Sequence, residues 1–390
     1  MSSVARRRLL LIAGALLAFA VGAVLGAGGD GGGDEAPAGR QGTPTAGGNT
    51  LVPPAAEQEP EAPVDRLSLR RQVGQVVVLR FAGTTAPDYV LDALSEQRAA
   101  GVILFRDNVT APEQLRALTR SLREAGGDDT LVMVDQEGGE IRILPWAPPL
   151  AAAPAQQAAG TVRSDARAAA GELSKNGVNV TLAPVGDVPT VDGAALGGRA
   201  FSDDPATASE AMTEAVRGWQ AGGVLATAKH FPGLGGATVN TDDGPATIER
   251  SRAELDAVDL PPFAAAIEAG VPLVMIGHAR YPALDPDHIA SQSAPILRDL
   301  LRGEMGFEGV VVTDSMEAAA SLATGDITTV SERALRAGAD LLLLTGQGSF
   351  APVSQHLFDV ARGSAGLRLR VRESAARVLE LKATSDTPAS

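Results

Sequence analysis

Eight short apolar runs recur along the chain. They are QVVVLRFAG at 75–83, GVILF at 101–105, TLVMVD at 130–135, VNVTLAPV at 178–185, VLATAKHF at 224–231, PLVMIGH at 272–278, GVVVTD at 309–314 and ADLLLLTG at 339–346. They are rich in β-branched residues and Leu and do not alternate with polar positions. That pattern predicts parallel strands buried on both faces. Amphipathic stretches lie between most of them. Residues 87–101 carry apolar side chains on one face and end at Gly101. Residues 205–223 open with Asp204-Pro205, an N-cap and first-turn pair, and close on Gly222 and Gly223. Residues 252–270 contain Pro261 and Pro262, which predict a helix broken in two. Strands followed by helices over about 300 residues read as an α/β fold, a single-domain (β/α)₈ TIM barrel. A doubly wound open sheet is the alternative. No GxGxxG follows the first run, which counts against a dinucleotide fold.

The flanks have a different texture. In residues 1–27, Arg6, Arg7 and Arg8 precede an uncharged run from Leu9 to Ala27. This predicts a signal peptide or a signal anchor, in contact with the membrane or the secretion machinery. Residues 28–64 are dominated by Gly, Pro, Ala and acidic residues and predict a disordered tether. The barrel is then expected over 65–382 and a frayed tail over 383–390. Together these features place the domain outside the cytoplasm, secreted or membrane-anchored.

Composition narrows the chemistry. The chain has 390 residues and a net charge of −14, which argues against nucleic acid as a partner. It has no cysteine, so disulfides, thiolate metal sites, Cys nucleophiles and a lipidation Cys are all removed. Its four histidines are too scattered to suggest a zinc site, and no metal or organic cofactor is expected. The oligomeric state is left open.

In a TIM barrel the functional residues sit at the C-terminal ends of the strands. The polar residues found there are Asp135 after the third run, Arg199 after the fourth, Lys229 and His230 at the fifth, His278 at the sixth and Asp314 at the seventh. Lys229 stands out because the chain has three Lys against 30 Arg. A lysine kept there suggests a task a guanidinium does not fill. It opens a long polar loop, KHFPGLGGATVNTDDGPATI, at 229–248. Asp314 has two readings, a helix N-cap or a reactive carboxylate at the barrel mouth. Asp135 is a strand-end cap or a ligand contact, with Gly138 and Gly139 permitting close approach. Arg199 pairs with Asp203 or Asp204, or reaches a ligand. His230, when neutral, can donate and accept, which suits a hydroxyl.

KHFPG joins DQEGG at 135–139, GGRAF at 197–201, VMIGH at 274–278 and VVVTDSMEAAA at 310–320, in order and each at the end of an apolar run. The set resembles the family 3 glycoside hydrolases, in particular their single-barrel β-N-acetylglucosaminidases, over about residues 66–345. The resemblance implies hydrolysis of β-linked N-acetylglucosaminides, from cell-wall glycan or chitin-like oligomers, with retention at the anomeric carbon. It implies that Asp314 forms a glycosyl-enzyme. It gives Asp135, Arg199, Lys229 and His230 contacts to the sugar, and His278 a lesser part in the same site. Arg142 lies one place out of register with the family's arginine after DQEGG. With no room for the sandwich domain of many family 3 β-glucosidases, the single-domain branch is expected. The loop departs from the family, where KHFPGHGDT leads, after two residues, to Asp-Ser-His. Here Leu234, Gly236, Asn240, Thr241 and Asp242 occupy the corresponding places. Asp242 is thus expected as the acid. The alternative is a sugar-binding barrel that has lost the family's His–Asp acid/base pair.

Overall fold

The structure, a computed structural model, describes residues 62–385. The expected targeting segment at 1–27, the tether up to residue 61 and residues 386–390 lie outside them. Val64, placed above in the tether, is buried, and the last helix runs through Ser385. No helix among the described residues is long and apolar enough to cross a membrane.

Each of the eight apolar runs contains one strand. They are β1 (Val77–Arg80), β2 (Gly101–Ile103), β3 (Leu131–Val134), β4 (Val180–Thr181), β5 (Leu225–Phe231), β6 (Leu273–Ile276), β7 (Val310–Ser315) and β8 (Leu341–Leu344). All pair in parallel with their sequence neighbours, and β1 pairs with β8, Val77 opposite Leu342, so the sheet closes into a barrel. The open doubly wound sheet is thereby excluded.

The two-residue period of a strand divides these side chains. Val78, Ile103, Met133, Val312 and Leu343 belong to the packed lumen. Leu79, Val102, Val132, Val134 and Val311 pack in the outer layer against the helices. Two residues beyond each lumen residue come Arg80, Phe105, Asp135, Asp314 and Thr345, and these line the cleft at the barrel's mouth. The alternation that fills the core therefore also aims the polar residues.

The helices follow the pattern with two differences. Helix α1 (Asp88–Ser95) ends well before Gly101. Gln97 turns the chain with φ of 58°, and Gly101 is the first residue of β2. A Cβ there would lie 2.0 Å from the Leu131 carbonyl oxygen, so the glycine serves close strand packing rather than a helix stop. Helices α2 (Pro112–Gly126), α3 (Val162–Lys175) and α4 (Pro205–Ala221) come next. Asp204 caps α4 through the Thr207 amide, as its sequence predicts. The second difference concerns Pro261 and Pro262. The chain does not break there. A short helix Arg252–Glu254 runs into a wide π turn, Leu255–Asp259, and on into α5 (Leu260–Glu268). The prolines fall in the first turn of α5, and the widened turn absorbs their missing donors. Phe263 of α5 meets Phe231 of β5 edge to face, centroids 5.3 Å apart. Helices α6 (Ile327–Ala337), α7 (Phe350–Gly363) and α8 (Ala365–Ser385) complete the ring.

Candidate active site

The cleft has a volume of about 510 Å³. Between β3 and β5 it is built on a charge network. Asp135 ends β3, and Glu137 follows in a small hairpin, Gln136–Gly138 with Ile141–Arg142. Buried Gln136 donates to the carbonyls of Leu144, Ala147 and Pro148, which fixes this loop. Lys229 extends from β5 with its ammonium 2.6 Å from Asp135 and 2.6 Å from Glu137. Arg199 grips Glu137 with two bonds, Nε at 2.8 Å and Nη2 at 2.6 Å. Burial pushes the Glu137 carboxyl up, but Lys229 and Arg199 outweigh it and bring its pKa down to about 2. Burial likewise pushes Lys229 down, and Asp135 and Glu137 together raise it. Glu137, Lys229 and Arg199 are therefore all charged near neutrality. A Lys serves here because one point charge must reach two carboxylates inside the barrel. Arg199 pairs with neither Asp203 nor Asp204. Glu137 takes its place as partner, in the same DQEGG run that supplies Asp135.

His230 is the next residue of β5, and the peptide bond joining it to Lys229 is cis. Its Nδ1 lies 2.7 Å from Asp187, a carboxylate just beyond β4 that is 1% exposed. Leu234, the next loop position of interest, is buried, and its amide donates to the same Asp187 at 2.7 Å.

Asp314 is not a helix N-cap. Strand β7 continues through Ser315, and the Ser315 amide donates to Asp314 Oδ1 at 2.8 Å. Burial pushes its carboxyl up, but His230, His278, the Ser315 amide and Lys229 outweigh it, so its pKa lies below the usual carboxylate range. Asp242 reaches the same cleft from the loop. The Ala319 amide donates to the Asp242 carbonyl at 3.2 Å, and the Ala320 amide to Thr241 at 3.0 Å. These two bonds tie the loop to the turn after β7 and set Asp242 beside Asp314. Asp242 keeps solvent access. Even so, the surrounding protein and then the Asp314 charge push its pKa up. The two carboxylates are thus driven in opposite directions.

His278 does not line the cleft. It is fully buried, with Nδ1 2.8 Å from Ser291 Oγ and Nε2 2.8 Å from the Ser315 carbonyl. Nε2 must donate to that carbonyl, so in the neutral ring Nδ1 accepts from Ser291, and burial lowers the pKa of the ring. It acts from beneath, holding the backbone beside Asp314. Arg142 does line the cleft, and donates to the carbonyls of Gly139 and Pro145 at 2.8 and 3.0 Å. Sequence reasoning missed Glu137, Asp187 and Arg80. Arg80 carried a usable signal, since it stands two places beyond Val78.

A model of the glycosyl hydrolase family 3 N-terminal domain matches residues 68–381. The chain belongs to glycoside hydrolase family 3. A β-hexosaminidase of Stenotrophomonas maltophilia is 36% identical over 279 residues, covering 69% of this chain and 83% of that protein. A solved family 3 β-N-acetylglucosaminidase from a Paenibacillus species superposes with a TM-score of 0.79 at 32% identity, over 83% of this chain and 64% of its own. A solved β-N-acetylhexosaminidase from Beutenbergia cavernae superposes with a TM-score of 0.75 at 33% identity, over 81% of this chain and 99% of its own. Leu234 and Gly236 are built into a packed corner. Gly235 lies so close to Val188 that a Cβ would meet its carbonyl oxygen at 1.9 Å. Beyond His230, the loop presents the polar side chains of Asn240 and Asp242 to the cleft.

Proposed function

We propose that the chain hydrolyses β-linked N-acetylglucosaminides with retention, by a glycosyl-enzyme on Asp314 and with Asp242 as acid and base. One observation carries this reading. Two carboxylates meet at one cleft, one pushed down and one pushed up. A retaining glycosidase requires that division of roles. Ionised Asp314 attacks the anomeric carbon as the bond to the leaving oxygen breaks, and protonated Asp242 delivers its proton to that oxygen. Asp242, now a carboxylate, takes a proton from water, which attacks the same carbon and releases Asp314. Asp135, Lys229, Arg199 and His230 hold the sugar. The activity named for the similar hexosaminidases supports the choice of an N-acetylglucosaminide, with cell-wall or chitin-like glycan as its source. We place this work outside the cytoplasm, on the strength of the Arg-flanked apolar run at the N-terminus.

The test is to incubate the whole chain with a fluorinated N-acetylglucosaminide that forms the intermediate quickly and releases it slowly. Mass spectrometry should find one added sugar on the peptide containing Asp314. Binding of N-acetylglucosamine with no adduct and no turnover of aryl glycosides would instead make the protein a sugar-binding barrel. For location, a reporter active only in the cytoplasm, fused after Val64, should give no signal.

A further inference from the structure

Asp187 has no place in the two-carboxylate scheme, yet its carboxylate makes three short bonds at the edge of the cleft. Oδ2 lies 2.7 Å from His230 Nδ1. Oδ1 accepts from the His230 amide at 3.2 Å and from the Leu234 amide at 2.7 Å. It is held in place by its own strand end. Gly186 donates to the Lys229 carbonyl, and Val185 bridges to Lys229. Being an acceptor only, an ionised carboxylate requires the proton of neutral His230 to sit on Nδ1. Nε2 is then left with a lone pair, and His230 lines the cleft. The other three histidines of the chain are committed elsewhere. His278 uses both nitrogens beneath Asp314, His288 faces Asp285, and His356 faces Glu332.

We propose that Asp187 is a positioning residue for sugar recognition. It fixes His230 as the Nδ1–H tautomer, so that Nε2 accepts from one sugar hydroxyl, and with its other oxygen it anchors the root of the loop that carries Asp242. This assignment rests on the sugar-binding reading of the cleft and adds a hydrogen-bond polarity to it. His230 is an acceptor toward the sugar, and a substrate analogue lacking the donating hydroxyl loses that bond. One carboxylate therefore couples recognition of the sugar to placement of the acid.

Asp187→Asn separates the two tasks. The amide oxygen still accepts from the His230 and Leu234 amides, so the loop stays anchored and the melting temperature stays close to wild type. The NH₂ group now faces Nδ1, which must accept, and the proton moves to Nε2. Binding of N-acetylglucosamine and kcat/KM should fall about 10–100-fold, mostly through KM. His230→Gln should cost a similar factor, and the double variant no more than either single one. Nitrogen-15 spectra of the imidazole give a reading that does not depend on turnover. Wild type should show Nδ1 protonated and Nε2 bare when neutral, and Asp187→Asn the reverse. A wild-type spectrum with Nε2 protonated overturns the proposal, whether or not any variant folds. So does an Asp187→Asn protein with unchanged sugar affinity, or losses that multiply in the double variant. A wild type that binds sugar without turnover removes the hydrolase reading, while the spectra and affinities still decide the role of Asp187.

Discussion

From β3 to β5, Asp135, Glu137, Lys229 and Arg199 hold one another at 2.6–2.8 Å. Across the barrel, beside β7, the Asp242 carboxylate accepts a long hydrogen bond from Asn240 at 3.5 Å and stays open to solvent. The first arc is a closed network in which each side chain is paired, with Lys229 and Glu137 buried at its centre. Such a network is rigid before a ligand arrives, and suits fixed recognition of a sugar. The second is a carboxylate placed mainly through backbone, by the Ala319 amide on the Asp242 carbonyl and the Ala320 amide on Thr241. A proton donor needs that freedom, because its charge changes during each cycle. Recognition and proton transfer are thus separable here, and each can be perturbed alone.

The largest effect should come from Asp314→Asn, which removes the nucleophile and leaves the recognition arc whole. Turnover of activated and unactivated glycosides should drop by roughly 10⁴-fold or more, with sugar affinity kept, as steady-state rates and calorimetry would show. Lys229→Met attacks the other arc. It strands Asp135 and takes one of two cations from buried Glu137, so stability should fall by about 3–5 kcal/mol in urea unfolding, and sugar affinity with it. Glu137→Gln sharpens the point through pH. Glu137 has its pKa lowered to about 2 in the folded protein, so its contribution is full above about pH 4.5 and is lost as pH falls toward 2. The melting temperature of wild type should decline through that window, and the variant's decline should be shallower. Asn240→Ala should do least. Its bond to Asp242 is long, and stability should change by less than about 0.5 kcal/mol.

The barrel was legible because strands buried on both faces announce themselves as unbroken apolar runs. The placement of Asp135, Lys229 and Asp314 followed from it, since each lies at or near the C-terminal end of such a run. Arg199 and Glu137 show where legibility stopped. Their pairing spans 62 residues and exists because β3 and β4 are neighbours, while linear reading offered Asp203 and Asp204 instead. Asp187 escaped notice for the same reason, since its partners lie on the next strand and in the loop that follows it. His278 was visible as a strand-end histidine, but its burial beneath Ser315 depends on side chains from two other elements. At Gly101 the signal of a helix stop was the same as that of a close strand crossing, and only the distance to Leu131 separates them.

The claim that Asp242 supplies the proton is tested most directly by a leaving-group series. kcat/KM would be measured for wild type and Asp242→Ala on N-acetylglucosaminides running from nitrophenyl to simple alkyl leaving groups, across pH. Wild type should vary little along the series. It should lose activity at low pH as Asp314 protonates and at higher pH as Asp242, with its raised pKa, gives up its proton. Asp242→Ala should match wild type on the nitrophenyl substrate, fall about 10²–10⁴-fold on the alkyl ones, and lose the alkaline limb. Parallel dependences in the two proteins, or an alkaline limb that survives the substitution, would contradict the account.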